Sequence, residues 1–300
     1  MCFRHNQNPK YISYALSLNT SKQQKKRYAS KGVAVYIKSK DIKKIKIPLP
    51  PLEIQKQIVQ VLDAFRELVR KLINRLKIEL KLRKKQYEYY LNKLISDVIE
   101  KGWGEYKTLG EIATEIYRGN GITKSQLDKG DFPCIHYGEI YNIHKIWFNK
   151  CISFTDEKLI KNPKYCDHGD LLITGAGENI KDISKACAYI GKEKAIAGGN
   201  LMIFKHLQNP KYLSYALSTN AVQIQKQKYA KEGVLVSIST NDLKKIKIPL
   251  PPLEIQEQIV NALDHLREIC EDLEKGIPKE IKLANKRYEY YRDFLITGKN

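Results

Sequence analysis

The chain repeats itself at one fixed spacing, and this duplication constrains its fold more than any other feature. The segment DIKKIKIPLPPLEIQKQIVQ at 41–60 returns as DLKKIKIPLPPLEIQEQIVN at 242–261, with 17 of 20 positions identical. The same offset of 201 residues relates two further pairs: NPKYISYALS at 8–17 with NPKYLSYALS at 209–218, and KQYEYYLNKLI at 85–95 with KRYEYYRDFLI at 286–296. So long a period indicates duplication of a whole module, because solenoid repeats span only about 20–50 residues.

The duplication covers only part of the module. Residues 1–99 align with 202–300 without a gap, so that Met1 aligns with Met202, whereas 103–201 has no counterpart. We therefore expect four parts in chain order: the C-terminal remnant of a first module at 1–50, a helical spacer at 51–100, a complete module at 101–251 and a second helical region at 252–297.

The segments that follow PLPPLEIQ have the pattern of long helices. Pro51 and Pro252 can stand in a first helical turn, where proline is tolerated. Apolar residues then recur three or four positions apart, a heptad-like spacing that is typical of coiled coils. In the first copy these residues are Ile58, Leu62, Phe65, Val69, Leu72, Leu76 and Leu80. Gly276 and Pro278 interrupt the second copy, so we expect a kink or break there.

The two helical segments carry opposite net charge. Residues 51–100 have 11 basic and 7 acidic side chains, whereas residues 252–297 have 7 basic and 10 acidic ones. Opposite charges favour pairing of the two segments with each other over self-pairing. We therefore expect an antiparallel coiled coil. The alternative is a pair of solvated amphipathic helices on separate domains.

The complete module combines strand and helix patterns. An apolar run at 171–173 precedes a glycine loop and predicts a short strand. Three further candidate strands are CIHYGEIY at 134–141, ACAYIG at 186–191 and GVLVSIS at 233–239. NPKYLSYALS predicts a helix, with Asn209 as N-cap and Pro210 in the first turn. The predicted fold class is α+β: a domain of short strands and helices, plus two long helical regions that pair as an antiparallel coiled coil.

The charge balance points to a polyanionic partner. Lysine and arginine number 53 against 33 acidic residues, a formal net charge of +20. Double-stranded DNA is the first candidate, because cationic side chains release its condensed counterions. The alternative is a lysine-rich composition without functional meaning. We expect a cytoplasmic protein with no membrane partner, because no apolar run reaches the about 18–20 residues of a membrane span and the N-terminus lacks a signal-peptide core.

The sequence lacks the motifs of the enzymes that act on DNA or nucleotides. A methyltransferase requires a cofactor loop and a D/N-P-P-Y/F site, but in NPKY at 8–11, 162–165 and 209–212 lysine replaces the second proline. The phosphate-binding G-x-x-x-x-G-K-[ST] motif is also missing. Cys166 and His168 with other cysteines match no standard metal-ligand spacing. We therefore expect no catalytic residue, cofactor or metal in this chain.

The proline-rich junctions resemble those of a known family. PLPPLEIQKQI and PLPPLEIQEQI, each followed by a helix containing YEYY, are similar to the junctions in specificity (S) subunits of type I restriction–modification systems. TLGEIATEIYRGNGITKSQL resembles the opening of their target-recognition domain, and FPCIHYGEIY and HGDLLITGAG resemble its central segments. The resemblance covers essentially the whole chain. The departure is that about 100 residues at the front of the first recognition domain have no counterpart here.

The resemblance implies a non-catalytic subunit that recognises a DNA sequence and directs partner chains to it. Those partners would be a methyltransferase (M) subunit, which binds S-adenosylmethionine, and a restriction (R) subunit. A second S chain is a further candidate partner. The alternative is a truncated, interaction-only fragment that docks the M subunit without useful DNA recognition.

Turns of the complete module contain the candidate DNA-contacting residues. Arginine commonly contacts guanine edges, lysine mostly contacts phosphate, and tyrosine can stack or donate a hydrogen bond. The glycine loop can bring backbone close to a phosphate, as the resemblance implies, although a plain tight turn is the alternative. The candidates are Arg118, Lys124, His136, Tyr137, Thr174, Gly175, Asn179 and Lys181, with Lys185 as a further phosphate contact. Solvated surface is the alternative for each of them.

Overall fold

The computed structural model describes residues 5–30, 35–177, 180, 183–231, 233 and 236–298. The helices, α1 to α10 in chain order, are Pro9–Ala15, Asn19–Tyr28, Ser39–Ile42, Leu52–Glu100, Leu109–Ile112, Tyr137–Asn142, Pro210–Ala216, Asn220–Tyr229, Thr240–Leu243 and Leu253–Thr297. The strands, β1 to β13, are Glu105–Thr108, Ala113–Arg118, Leu127–Ile135, Trp147–Phe148, Ser153–Thr155, Tyr165–Cys166, Leu171–Thr174, Ala176–Gly177, Ala186–Tyr189, Ala195–Ala197, Leu201–His206, Val236–Ser237 and Lys247–Leu250. This mixture of strands and two long helices confirms the predicted α+β class.

The chain divides into two compact units. The first consists of Met1–Lys84 and Ile269–Asn300, and the second of Lys85–Glu268. Helices α4 and α10 each contribute residues to both units.

In the first unit, α1 and α2 pack on parts of the two long helices. Tyr11, Leu18 and Leu62 are fully buried in the core of this unit. The core residues lie at the apolar positions of α1 and at the heptad-like positions of α4, so burial of these faces stabilises the unit. Helix α1 and Leu18 are therefore packed against the long helices of this unit.

Helices α4 and α10 run antiparallel. In the first unit, the ring of Phe65 lies 5.7 Å from the ring of Tyr288, and Lys84 forms an ion pair of 2.5 Å with Glu274. Later residues of α4 thus meet earlier residues of α10. The pairing agrees with the prediction from heptad spacing and opposite charge.

Of the kink or break predicted at Gly276 and Pro278, the break is not found. Helix α10 is continuous through Pro278. A proline inside a helix removes one backbone hydrogen bond and normally disfavours the helix. Here Ile277 and Ala284, on either side of Pro278, are buried, and this packing holds the helix together.

In the second unit, five strands form the central sheet in the order β2-β11-β7-β9-β4. A four-stranded sheet, β5-β3-β10-β6, and two short ladders, β1-β13 and β12-β8, complete the strand pairing of the described residues. Strand β7 is buried along its whole length. The α7 helix packs beside β9, where Ser214 Oγ donates to the carbonyl oxygens of Ile146 at 2.6 Å and Ala186 at 3.1 Å.

One predicted strand is wrong in part. In CIHYGEIY, only the first two residues belong to β3, and the rest forms helix α6. His136 caps this helix and Glu139 completes a capping box, a local signal that favours a helix over an extended segment. The other assignments agree better: ACAYIG contains β9, and NPKYLSYALS forms α7 with Asn209 as its cap. Part of GVLVSIS lies outside the described residues.

The glutamine of each PPLEIQ segment has a structural role at the junction between the module and the long helix. Gln256 is fully buried, and its amide group donates to the carbonyl oxygens of Gln208 and Pro251, both at 2.8 Å. Its carbonyl oxygen accepts from the N–H of Asn209 at 3.0 Å. One side chain therefore connects the start of α10 with the start of α7. Gln55 makes the equivalent contacts in the first unit.

Replacing Gln256 by leucine is expected to lower the free energy of unfolding by about 2–3 kcal/mol, because the N–H of Asn209 loses its acceptor in a buried position. Chemical denaturation followed by circular dichroism measures this loss. The Gln258→Leu variant is the control, since it makes the same substitution at an exposed position of the same helix. A Gln256→Leu protein as stable as the wild type would show that the hydrogen bonds contribute nothing.

In the part of the chain that the structure describes, no helix has both the length and the apolar composition that crossing a membrane requires.

Candidate nucleic-acid interface

Three neighbouring strands of the central sheet begin or end side by side, and we call this row of strand ends the edge. The order β2-β11-β7 is antiparallel, so that the end of β2, the start of β11 and the end of β7 lie side by side. Arg118 is paired with Met202, and Thr174 is paired with Leu201. The sheet therefore brings Arg118 and Thr174, which come from distant segments, to the same edge. The side chain of Arg118 is exposed.

Close packing of two loops fixes the position of Arg118. The N–H of the next residue, Gly119, donates to the carbonyl oxygen of Leu201 at 2.8 Å. A Cβ atom at Gly119 would overlap the carbonyl oxygens of Ala197 and Gly198. Only glycine fits at this approach, since any side chain would push the loops apart.

His136 and Tyr137 lie at the start of α6, near the same loops. The N–H of Gly198 donates to the carbonyl oxygen of Ile135 at 2.9 Å, which ties the end of β3 to the segment before β11. Both His136 and Tyr137 are partly exposed. The structure thus brings these two residues close to the loop that also packs on Gly119.

A buried carboxylate holds the start of α6. Glu139 accepts a hydrogen bond from the N–H of His136 at 3.1 Å, and it lies 3.6 Å from Nε2 of His144. Burial alone would raise the pKa of Glu139, but the interactions with His144, Ser153 and the His136 N–H outweigh burial and lower the pKa. Glu139 therefore stays ionised and keeps His136 in its capping position.

Tyr137 and Tyr141 of α6 stack in sequence with Lys185. The rings of Tyr137 and Tyr141 are stacked with centroids 5.7 Å apart. Lys185 Nζ lies 4.4 Å from the centroid of the Tyr141 ring, a cation–π arrangement. Tyr141 was not among the predicted site residues, because the sequence pattern of this segment predicted a strand. In a helix, two tyrosines four residues apart, as in YGEIY, lie on the same face, and this spacing would have predicted their stacking.

Thr174 and Gly175 occupy the end of β7. The side chain of Thr174 is fully buried, and its Oγ1 has no hydrogen-bond partner among the described residues. Gly175 is partly exposed, and its N–H donates to the carbonyl oxygen of Asn200 at 2.9 Å. In this conformation the side chain of Thr174 packs inside the protein, whereas the backbone at Gly175 is accessible to solvent.

A buried lysine anchors the far side of the glycine loop. Lys226 is 2% exposed, and its Nζ donates to the carbonyl oxygens of Ser184 and Leu217, both at 2.8 Å. Burial lowers the pKa of Lys226 to about 7. Ser184 has a φ of 52°, a left-handed conformation that is uncommon for a residue other than glycine. The contact from Lys226 holds this residue in place.

A basic cleft opens beside the loop. Its volume is about 500 Å³, and its lining includes Lys145, Lys185, His144 and Tyr141. Several cationic or aromatic side chains around one opening suit a phosphate-bearing ligand.

Three further candidates are Lys124, Asn179 and Lys181. Lys124 is exposed in a short 3₁₀ helix, and Gln126 at the end of that helix donates to the carbonyl oxygen of Leu159 at 2.7 Å. Asn179 and Lys181 lie outside the described residues.

A charged cluster ties the sheet to α10 within the second unit. Asp264 accepts hydrogen bonds from Trp147 Nε1 at 2.8 Å, Tyr215 OH at 2.5 Å and Lys211 Nζ at 2.7 Å. Lys211 and Arg267 both lie over the Trp147 ring, at 4.1 and 4.6 Å from its centroid. Burial would raise the pKa of Asp264, but these hydrogen bonds lower it. The carboxylate therefore fixes the orientation of α10 relative to β4 and α7.

An α+β module with two long helical regions is matched over most of its length by the sequence model of a DNA-specificity family, and this match defines the class of the protein as a DNA-specificity subunit. The chain belongs to the family whose sequence model is described as the type I restriction modification DNA specificity domain, which matches residues 1–82 and 100–283. It is a non-catalytic specificity subunit of the type I restriction–modification class.

Known proteins agree with this family assignment. The chain is 28% identical to the EcoR124I/EcoR124II specificity subunit of Escherichia coli, over 96% of this chain and 70% of that protein. It is 31% identical to a Haemophilus influenzae protein named as a type I restriction enzyme specificity subunit, over 90% of this chain and 68% of the relative. The HsdS subunit from Thermoanaerobacter tengcongensis has a similar fold, with a TM-score of 0.64 and 19% identity over 97% of this chain and 70% of that one. A chain from a type I restriction–modification complex gives a TM-score of 0.72 at 18% identity, over 97% of this chain and 72% of that one.

Proposed function

We propose that the second unit recognises double-stranded DNA through the edge formed by β2, β11 and β7. The observation that carries this proposal is the meeting of Arg118, His136 and Tyr137 around loops that only glycine permits to pack so closely. An arginine held at a fixed backbone position can form two hydrogen bonds to a guanine edge, which distinguishes base pairs. The glycine loop, with Gly175, Asn179 and Lys181, would add backbone and phosphate contacts.

The four-part domain division fits this proposal. Residues 101–251 would be the complete target-recognition domain and 1–50 the remnant of another. The helical regions 51–100 and 252–297 would connect these parts and present a surface for other subunits. Lys124 would contact phosphate at a distance from the base-reading edge.

The paired helices are the proposed docking site of the M subunit, and through it of the R subunit. Exposed aromatic side chains occur at equivalent positions of α4 and α10: Tyr89 is 61% and Tyr290 52% exposed. Exposed tyrosines are frequent energetic centres of protein interfaces. A cytoplasmic location follows from this partnership, because the target DNA is there. A second S chain is a further partner that this surface can accept.

Methylome sequencing tests the proposal. Cells that carry the matching M subunit are compared with and without this chain. A methyladenine motif that appears only with the chain supports sequence recognition. Co-purification with M but no new motif would instead favour the interaction-only alternative.

The Arg118→Ala variant is expected to weaken binding to that motif by about 10- to 100-fold, since a good arginine–guanine contact contributes about 1–3 kcal/mol of discrimination. Fluorescence anisotropy with the motif and with a scrambled duplex, at one fixed salt concentration, measures the change. Lys107→Ala is the matched control, because Lys107 is a cationic residue paired with Glu105 on β1, away from the edge. Equal losses in both variants would assign Arg118 only a non-specific electrostatic role.

A further inference from the structure

The two units contain the same pair of local elements but differ in charge there. At the 201-residue offset, residues 22–30 and 35–46 of the first unit align with 223–231 and 236–247 of the second. The first set has nine basic residues and one acidic residue, Asp41, whereas the second has six basic residues and one acidic residue, Asp242. Since the positions are equivalent, the fold of these elements does not require the additional positive charge of the first unit.

The additional charge comes from a few exchanged positions, and one exchange, Ser30 for Lys231, has the opposite sense. Four lysines of the first unit stand where the second unit has neutral polar residues: Lys22 for Gln223, Lys26 for Gln227, Lys38 for Ser239 and Lys40 for Asn241. All four lysines are exposed. The positive charge is therefore concentrated on the surface of the first unit, where a partner can reach it.

Hydrogen bonds hold the two charged segments side by side. The side-chain amide of Gln24, on α2, donates to the carbonyl oxygen of Lys46 at 2.9 Å and accepts from the N–H of Lys46 at 2.8 Å. Lys44 Nζ lies 5.7 Å from the centroid of the Tyr28 ring, which also belongs to α2. The exposed cations of α2 and of residues 38–46 therefore lie beside one another. We call the surface that they form the basic face: Lys22, Lys26, Arg27, Lys38, Lys40, Lys43, Lys44 and Lys46.

One of these lysines stands in the place of a helix cap. In the second unit, Ser239 Oγ accepts a hydrogen bond from the N–H of Asp242 and caps the short helix α9. Lys38, at the equivalent position, gives α3 no side-chain cap in the described structure. A side-chain cap contributes about 1 kcal/mol, and clustered like charges repel each other. The basic face is thus unfavourable for local stability, as is expected of a functional surface.

The residue types of the basic face suit phosphate groups. Seven of the eight cations are lysines, and an ammonium group binds phosphate as a point charge, whereas arginine is the usual reader of a guanine edge. Ion pairs within the unit engage Lys22 with Glu289 at 3.1 Å and Lys44 with Asp41 at 2.8 Å. Both lysine side chains nevertheless stay about half exposed, at 48% and 55%. The face therefore suits a regular row of phosphates more than a base edge.

We propose that the basic face binds the phosphate backbone of double-stranded DNA without reading its sequence. Lysines that neutralise phosphates release condensed counterions, which supplies affinity for any duplex. This role goes beyond the proposed function, because it belongs to the first unit and does not depend on a recognised motif. It adds affinity and salt dependence to DNA binding and leaves the choice of motif to the second unit.

The salt dependence of binding provides the first test. The K22Q/K26Q/K38S/K40N variant of the full chain receives the neutral residues that the second unit has at these positions. Fluorescence anisotropy measures its affinity for a short duplex of scrambled sequence between about 50 and 200 mM salt. The affinity at the lowest salt is expected to fall at least tenfold. The slope of log K against log salt is expected to become shallower by about 0.9 for each lost phosphate contact, about 2–4 in total.

The matched control removes the same charge elsewhere in the first unit. K77Q/K81Q/K279Q/K282Q changes four exposed lysines of α4 and α10, and less than about a threefold loss is expected, because salt screens charges outside the contact. Equal losses in both variants would reduce the effect to net charge and overturn the proposal. Circular dichroism checks folding: K22Q/K26Q/K38S/K40N is expected to be at least as stable as the wild type, since Lys38→Ser supplies a cap.

Lysine acetylation read by mass spectrometry provides the second test, on the wild type. The scrambled duplex is expected to protect Lys26, Lys38 and Lys40 from acetylation and to leave Lys77 and Lys279 unprotected. Equal acetylation of Lys26, Lys38 and Lys40 with and without the duplex overturns the proposal. Binding to phosphatidylserine vesicles that K22Q/K26Q/K38S/K40N abolishes, with duplex binding unchanged, would assign the basic face to a lipid surface and would also overturn it. Neither test requires recognition of a DNA sequence, so failure here leaves the proposed function untouched.

Discussion

An Asp264→Ala protein is expected to lose about 3 kcal/mol of its free energy of unfolding, because the substitution leaves partly buried cations without their anion. Lys211 and Arg267 would remain stacked on Trp147, and the hydroxyl of Tyr215 would lose its acceptor. In the folded protein only 22% of the Asp264 side chain is exposed, so that water compensates little. Urea denaturation, monitored by tryptophan fluorescence and by circular dichroism, measures the loss.

The duplication provides an internal control for this prediction. Asp63 is the counterpart of Asp264 and accepts from Tyr14 OH at 2.5 Å and Lys10 Nζ at 2.6 Å. Its side chain is more exposed, at 38%, and exposed ion pairs contribute about 0–1 kcal/mol. The Asp63→Ala variant is therefore expected to lose about 1 kcal/mol. Equal losses at the two positions would contradict the role given to burial.

Lys226→Met is expected to change how stability depends on pH. The pKa of Lys226 is lowered to about 7 in the folded protein from an ordinary value of 10.5. Between these values the unfolded chain binds a proton that the folded chain does not, so the stability of the wild type rises with pH across this window. Each pH unit in this window contributes up to about 1.4 kcal/mol, so the whole window contributes on the order of 5 kcal/mol.

The Lys226→Met protein is expected to lack this rise, because methionine fills a similar space without a titrating group. Urea denaturation at pH 6, 7, 8 and 9 compares the two proteins. Lys25→Met is the control: Lys25 is the counterpart in the first unit, is partly exposed and donates to the carbonyl oxygen of Leu16 at 2.7 Å. A parallel rise in the wild type and in Lys226→Met would show that other groups cause it. Hydrogen exchange at Ser184 is expected to quicken in Lys226→Met, because the loop loses its anchor.

The long helices were predictable because their signal is local and repeated. Heptad-like spacing and the proline-rich start are readable without knowledge of the partner, and opposite charge indicated the pairing. Helix α6 was missed because it is only six residues long and has too few apolar residues to show a helical period. The capping box of His136 and Glu139 favours the helix, but this local signal was not recognised. The continuity at Pro278 depends on packing of Ile277 and Ala284, which no local pattern reveals.

The arrangement of the candidate site was predictable only in part. Arg118, His136 and Tyr137 could be chosen from residue type and from turns. That they lie around one edge depends on strand order and on the approach of Gly119 to Gly198, two residues far apart in the chain. Lys226 was not singled out, because a lysine in a polar helix normally faces solvent, and only the tertiary structure shows that it is buried.

The junction between module and helix has a consequence for inheritance. The buried glutamine contacts of Gln55 and Gln256 are the same in both copies, and they lie within the segments 41–60 and 242–261 that are nearly identical in sequence. A genetic crossover between these two segments would join the end of one module to the helix of the other in register, with every contact of Gln55 or Gln256 restored. The residues at the junction would not have to change, because both copies make the same contacts there. Under the proposed function, such a crossover would exchange a whole recognition module without changing the contacts at the junction.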